Sequence, residues 1–300
     1  MRIFALSFAA LMLLITTLMA AGEPEKVVLS AKSTSAANPL PTLVGQSQPP
    51  ALTAQSVMAV DVASGTLLYE KNSDKPHSPA SITKVMTALV ALEEFELGDV
   101  LTANGQKVDG HVLRLVNGEE LTLEDLLYGI LIYSANDAAE VVAQNFDGGR
   151  SAFIDAMNEK ARKIGLKNTH FVNPSGLDEL GNITTAQDMI RLAEHAMQNK
   201  TFAEIVATKE KTIVSLSGEQ KHRLTNINEL LGKVDGVLGI KTGFTVEAKE
   251  NLISLTERNG HRTIIALFGS EDRFGESEEL IEWIFDNYEW KVINMPSSNL

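Results

Sequence analysis

Ser81 and Lys84 lie one helical turn apart in the stretch SPASITKVM, at the head of an otherwise apolar run. At positions i and i+3 near a helix start, both side chains share one face. Ser81 also sits where unpaired backbone N–H groups and the helix dipole favour negative charge. A serine hydroxyl becomes a nucleophile when a base takes its proton, and a neutral lysine amine is such a base. Neutrality near pH 7 requires lowering the amine's pKa by about three units, roughly 4 kcal/mol. Desolvation and a neighbouring positive charge are the two ways to achieve it. Either this helix turns its Ser81–Lys84 edge to water, or the pair performs acyl transfer.

Two further stretches carry related chemistry. In YSANDAAE, Ser134 and Asn136 fall at an interruption between helical patterns, where loop side chains can point into a cleft. In GIKTGFT, Lys241 offers a cation, Thr242 a hydroxyl and Gly243 an open backbone edge. Each has a plainer reading alone. Ser-x-Asn is a common helix cap, and a strand lysine ahead of a glycine is commonly a solvated residue at a turn.

The elements that must position these residues are legible from periodicity. Residues 56–62 and 66–70 are β-rich runs around Ala63, Ser64 and Gly65 and predict a hairpin. Residues 82–94 form a helix that is apolar nearly all round, and therefore buried. Helices follow over about 122–132 and 137–146, the first opening on a Thr122-x-x-Asp125 capping pattern. An amphipathic helix over 151–164 stops at Gly165. Residues 185–198 repeat the capping pattern with Asp188. Beyond Lys211 strands dominate: KTIVSL, GVLGIKTG, ENLISLTER and HRTIIALFG, the last two joined by Asn259–Gly260, a strong hairpin signal. A final helix spans 276–287. Strands at both chain ends with helices between them predict one mostly antiparallel sheet flanked by helices.

Composition narrows the chemistry. The formal charge of −13 over 300 residues disfavours nucleic acid or an anionic membrane surface as a partner. The absence of cysteine excludes a thiol nucleophile, disulfides and thiolate zinc sites, and the six histidines show no HExxH spacing. Neither a metal nor a cofactor is expected. Residues 1–22, with an apolar run from Ile3 to Ala21, have the layout of a secretory signal or an N-terminal membrane anchor; both export the chain. Residues 23–55 hold five of the nine prolines and read as an extended tether. Residues 56–294 are then the folded domain, 295–300 a tail, and no C-terminal β domain is expected.

S-x-x-K, S-x-N and K-T-G occur in this order on a helix start, an interhelix loop and a late strand. The chain resembles the low-molecular-mass penicillin-binding proteins of the D-alanyl-D-alanine carboxypeptidase type, with their β-lactamase/transpeptidase-like fold. PASITKVMTAL, LIYSANDAA, FVNPSGLD, TTAQDM and KTGFT carry the likeness. The resemblance implies that Ser81 is the acylated nucleophile and Lys84 its general base. It implies that Ser134 relays a proton to the leaving nitrogen and that Asn136 binds the substrate peptide. Lys241 would keep the site electropositive and attract the terminal carboxylate, while Thr242 and Gly243 lie on the strand that pairs with the substrate. The backbone N–H groups of Ser81 and Phe244 would form the oxyanion hole. The implied substrate is the peptidoglycan stem peptide, β-lactams are the implied inhibitors, and the implied location is the periplasm or extracytoplasmic envelope.

Two departures stand out. Glu271 and Asp272 in GSEDRF stand where a carboxylate-binding arginine is expected, and Lys249 stands where glycine is common. A class A β-lactamase is the rival enzyme, but no E-x-x-L-N segment lies between Ser134 and Lys241. A non-catalytic penicillin- or wall-binding module is the rival of another class; intact Ser81 and Lys84 argue against it.

Overall fold

The computed structural model describes residues 39–292. Its strands are β1 (Leu40–Leu43), β2 (Ser56–Asp61), β3 (Leu67–Lys71), β4 (Val100–Thr102), β5 (Glu120–Thr122), β6 (Glu210–Val214), β7 (Lys221–Thr225), β8 (Val237–Thr245), β9 (Lys249–Arg258), β10 (His261–Ser270) and β11 (Tyr288–Lys291). Its helices are α1 (Lys84–Glu94), α2 (Leu123–Leu131), α3 (Asn136–Asn145), α4 (Gly149–Lys163), α5 (Ala186–Ala196), α6 (Lys200–Val206) and α7 (Arg273–Asn287).

A five-stranded antiparallel sheet runs in the order β3-β2-β10-β9-β8. The early hairpin thus zips onto strands made some two hundred residues later, as expected from strands at both chain ends. Alternation along β10 sorts its side chains between two layers: Ile264, Ala266 and Phe268 join the core under the helical layer, and Ile265 and Leu267 the core under α7. Buried helix α1 fills the larger core with Val85, Met86, Leu89 and Val90. Thr122 and Thr185 cap α2 and α5 by accepting from the N–H groups of Asp125 and Asp188. Asn259 and Gly260 have φ of +53° and +79°, the left-handed pair that a two-residue hairpin requires. Strand β8 closes one side of the sheet, leaving its outer edge without a strand neighbour among the described residues.

The tether reading of 23–55 does not hold over its second half. Leu40–Leu43 pairs antiparallel with Tyr288–Lys291, and Pro41 is tolerated because this two-stranded ribbon has free edges. The Thr53 and Ala54 N–H groups donate to the buried Glu276 carboxylate on α7, which also accepts from Ser270 Oγ at 2.8 Å. Proline-rich composition argued for an open chain, but one buried carboxylate facing three donors binds it to the sheet. Residues 1–22, read as signal or anchor, lie outside the described residues, as does the 295–300 tail. Among the described residues no helix is long and apolar enough to cross a membrane.

Replacing Glu276 by Ala strands those donors in a buried setting. Urea unfolding of that variant is expected to show a loss of about 2–3 kcal/mol; an unchanged midpoint would show that the 53–55 segment is not held by this carboxylate.

Candidate active site

Ser81 lies in a 3-10 turn, Ala80–Thr83, that feeds directly into α1. Residues i and i+3 eclipse in a 3-10 turn, so Ser81 and Lys84 stack more directly than in a regular helix. The turn is held from three sides. Ala80 takes a left-handed φ of +48°, uncommon for a residue with a Cβ. Asn251 on β9 donates through Nδ2 to the carbonyls of Ser78 (3.0 Å) and Pro79 (3.3 Å), and its Oδ1 accepts from Gly269 N–H at 3.0 Å. Strand β8 passes so close that a Cβ at Gly243 would lie 3.2 Å from the Ser81 nitrogen and from the Pro79 carbonyl oxygen. Gly176 is far more tightly constrained: φ is +82° and a Cβ would lie 1.8 Å from the Ala80 carbonyl oxygen.

Lys84 is fully buried. Its Nζ lies 2.9 Å from Ser81 Oγ, donates to Asn136 Oδ1 at 2.6 Å, and donates to the Ser175 carbonyl. A neutral amine has two N–H donors and one lone pair. Two acceptors that cannot donate take both N–H groups, which leaves the lone pair directed at the Ser81 hydroxyl. Burial lowers the Lys84 pKa from 10.5 to about 7, against the opposing pull of the Asp137 and Glu140 carboxylates. Those carboxylates are themselves fixed. Asp137 accepts from the N–H groups of Leu113, Arg114 and Leu115, and Glu140 pairs with Arg150 at 2.8 Å.

The other candidates converge on the same cleft. Ser134, in the α2–α3 loop with φ of +65°, accepts from Lys241 Nζ at 2.8 Å. Lys241 also donates to the Thr242 carbonyl at 3.0 Å and is buried. Burial, then repulsion from Lys84 and Arg273, pushes Lys241 well below the usual lysine range. Asn136, expected at the substrate, has its carboxamide engaged on both sides, by Lys84 and by the Asp109 carbonyl (2.7 Å to Nδ2). Phe244, on the outer run of β8, is exposed.

Sequence reasoning missed Asn251 and Ser175 and left Arg273 without a role. The first acts through a buried amide and the second through a main-chain carbonyl, neither of which has a sequence signature. Arg273 stands one position beyond the two acids flagged in GSEDRF. Asp272 caps α7 by accepting from Gly275 N–H (2.9 Å), Glu271 pairs with Lys249 at 3.5 Å, and Arg273 turns inward to donate to the Gly243 carbonyl at 3.1 Å. Lys249 occupies a left-handed φ of +57°, the reason glycine suits that turn.

The profile of the family described as D-alanyl-D-alanine carboxypeptidase matches residues 44–272. The chain belongs to this family. It is 33% identical over 246 residues to the D-alanyl-D-alanine carboxypeptidase DacF of Bacillus subtilis, covering 79% of this chain and 63% of that protein. It therefore spans less than two thirds of the Bacillus relative. With DacB2 of Mycobacterium tuberculosis it shares 34% identity, covering 77% of this chain and 82% of the other. The crystal structure of the Streptomyces K15 DD-transpeptidase superposes with a TM-score of 0.74 at 30% identity, over 80% of this chain and all of that one. A crystal structure of a D-alanyl-D-alanine carboxypeptidase from Mycobacterium tuberculosis gives 0.77 at 30% identity, over 85% and 99%. The mixed α and β fold is thus that of the penicillin-binding DD-peptidases.

Only the unprotonated amine can take a proton, so the rate of acylation by benzylpenicillin is expected to rise with pH to a plateau with a midpoint of about 7. Glu140→Gln removes a charge that favours the ammonium form, so its midpoint shifts to lower pH. A flat profile from pH 5.5 to 8.5, or an upward shift in the variant, would contradict this electrostatic account.

Proposed function

We propose that the chain is a serine-type D-alanyl-D-alanine carboxypeptidase that removes the terminal D-alanine from peptidoglycan stem pentapeptides, and that β-lactams trap it as an acyl-enzyme. The observation that carries the reading is the buried Lys84 amine, its Nζ 2.9 Å from Ser81 Oγ. Lys84 takes the Ser81 proton as the oxygen attacks the penultimate D-alanyl carbonyl. Charge developing on that carbonyl oxygen falls on the Ser81 and Phe244 N–H groups, one at a helix start and one on the open edge of β8. The C–N bond then breaks as Ser134 gives its proton to the departing D-alanine nitrogen and recovers one from the Lys84 ammonium, which returns that amine to its neutral form, while Lys241 donates to the Ser134 hydroxyl oxygen and holds it in place. Water attacks the ester, gives a proton to Lys84, and Ser81 recovers its hydrogen as the shortened stem leaves.

Substrate lies as an added strand along β8. Arg273 supplies the positive charge that draws the terminal carboxylate and Thr242 a hydroxyl donor to it, while Lys241 holds Ser134 and Asn136 serves chiefly to hold Lys84. The protein acts outside the cytoplasm, exported by residues 1–22 either as a cleaved signal or as a retained anchor.

Intact-mass analysis after incubation with fluorescent penicillin tests the assignment. One adduct per chain is expected for the wild type and none for Ser81→Ala. Lys84→Ala is expected to fold but to acylate at least about 100-fold more slowly. D-alanine release from a pentapeptide completes the test. Labelling that survives Ser81→Ala, or near-normal acylation by Lys84→Ala, would overturn the assignment.

A further inference from the structure

Recognition of the terminal carboxylate falls, in the reading above, on Arg273, and that cation does not stand alone. Its side chain is 15% exposed, its Nη1 donates to the Gly243 carbonyl at 3.1 Å, and its guanidinium carbon lies 4.7 Å from the centre of the Phe274 ring. Beside it stands the carboxylate of Glu250. One Glu250 oxygen accepts from the Arg273 backbone N–H at 2.9 Å, and the other lies 4.0 Å from Nη1. That second separation is too long for a hydrogen bond, so the two charges are neighbours while the guanidinium keeps N–H groups for another acceptor.

Strand alternation explains the placement. Leu252 packs in the core under α7, and Glu250, two residues earlier on β9, shares its face. Glu250 pairs in register with Phe244 on β8 and with Ser270 on β10, and Arg273 opens α7 three residues after Ser270. The other charges close by leave the balance negative. Lys249 pairs with Glu271 at 3.5 Å and Asp272 caps α7, and carboxylates outnumber cations among Lys249, Glu250, Glu271, Asp272 and Arg273. Burial lowers the Arg273 pKa, and Glu250 is first among the carboxylates that oppose this, ahead of Glu229.

A carboxylate brought to Arg273 therefore meets a place where one is already present. We infer that Glu250 is a specificity-determining residue whose charge offsets that of Arg273 and weakens recognition of a free C-terminal carboxylate on the substrate. The inference rests on the carboxypeptidase reading. Glu250 has no part in bond making, so its effect falls on binding and not on the chemical step. Two like charges sharing one guanidinium repel, and salt weakens that repulsion because the Glu250 side chain is partly exposed. A purely structural role predicts otherwise. Glutamine at this position retains an oxygen that accepts from the Arg273 N–H but carries no charge, so it keeps the junction of β9 with α7 and removes only the field.

The test compares the full-chain wild type with Glu250→Gln on Nα,Nε-diacetyl-L-lysyl-D-alanyl-D-alanine, with the C-terminal amide of that tripeptide as a competing inhibitor. At low ionic strength the variant is expected to show a KM for the acid lower by about threefold or more, with kcat unchanged. Added salt should shrink that gain, and the amide, which has no terminal charge, should inhibit both proteins alike. A KM for the acid that is unchanged or raised in Glu250→Gln would overturn the inference, as would an equal gain for the amide or a gain indifferent to salt. Absence of D-alanine release by the wild type together with absence of a penicillin adduct would instead remove the carboxypeptidase reading, and this inference with it.

Discussion

The structure is organised around one amine kept out of water. Lys84 has no exposed surface, and its pKa falls from 10.5 to about 7 chiefly through burial. The cost falls on folding. Between about pH 7 and 10.5 the unfolded chain binds a proton that the folded chain does not, so stability decreases as pH falls through that window. The penalty near neutrality is on the order of 4–5 kcal/mol, comparable to the net stability of many domains. Asp137 and Glu140 keep the pKa from falling further, so the amine changes charge near neutral pH and serves as a base without being too weak to accept a proton.

Much of the neighbouring architecture is explained by holding that amine against one hydroxyl. The 3-10 turn eclipses Ser81 over Lys84, and the Ser175 carbonyl and Asn136 Oδ1 occupy its two N–H groups. Left-handed Ala80, beside Ser81, and left-handed Ser134 store local strain at the site; a Cβ at Gly176 would collide with the Ala80 carbonyl, and one at Gly243 would crowd the Ser81 nitrogen. Asn251 ties this turn to β9 and, through Gly269, to β10. The sheet contributes its open β8 edge, and the helical layer contributes the dry interior in which the lysine loses its charge.

How much of this was readable from sequence depended on how local the cause was. Thr122 with Asp125, Thr185 with Asp188, and Asn259–Gly260 act within a few residues, and the structure shows each as expected. The spacing of Ser81 and Lys84 is likewise a local fact. Pairing across the chain was harder. Leu40–Leu43 finds Tyr288–Lys291 at the far end, and Lys221–Thr225, mostly polar in sequence, becomes β7 because Glu210–Val214 offers it a partner. Glu276 and Asn251 act through buried hydrogen bonds to distant backbone, and the Ser175 carbonyl through one to the distant Lys84 amine, none of which periodicity and motif can register. Arg273 shows the finer limit: its residue type was visible, but the inward turn that brings it to Gly243 depends on Asp272 capping α7.

The central claim, that a buried lysine is half neutral near physiological pH, is open to direct titration. Chemical shifts of lysine 13Cε nuclei, followed from pH 5 to 11 in the wild type and assigned by the signal missing from Lys84→Ala, report its proton occupancy without any substrate. A Lys84 transition centred at about 7 is the predicted result. A transition near the ordinary lysine value of roughly 10.4 would contradict the account and leave Ser81 without its base.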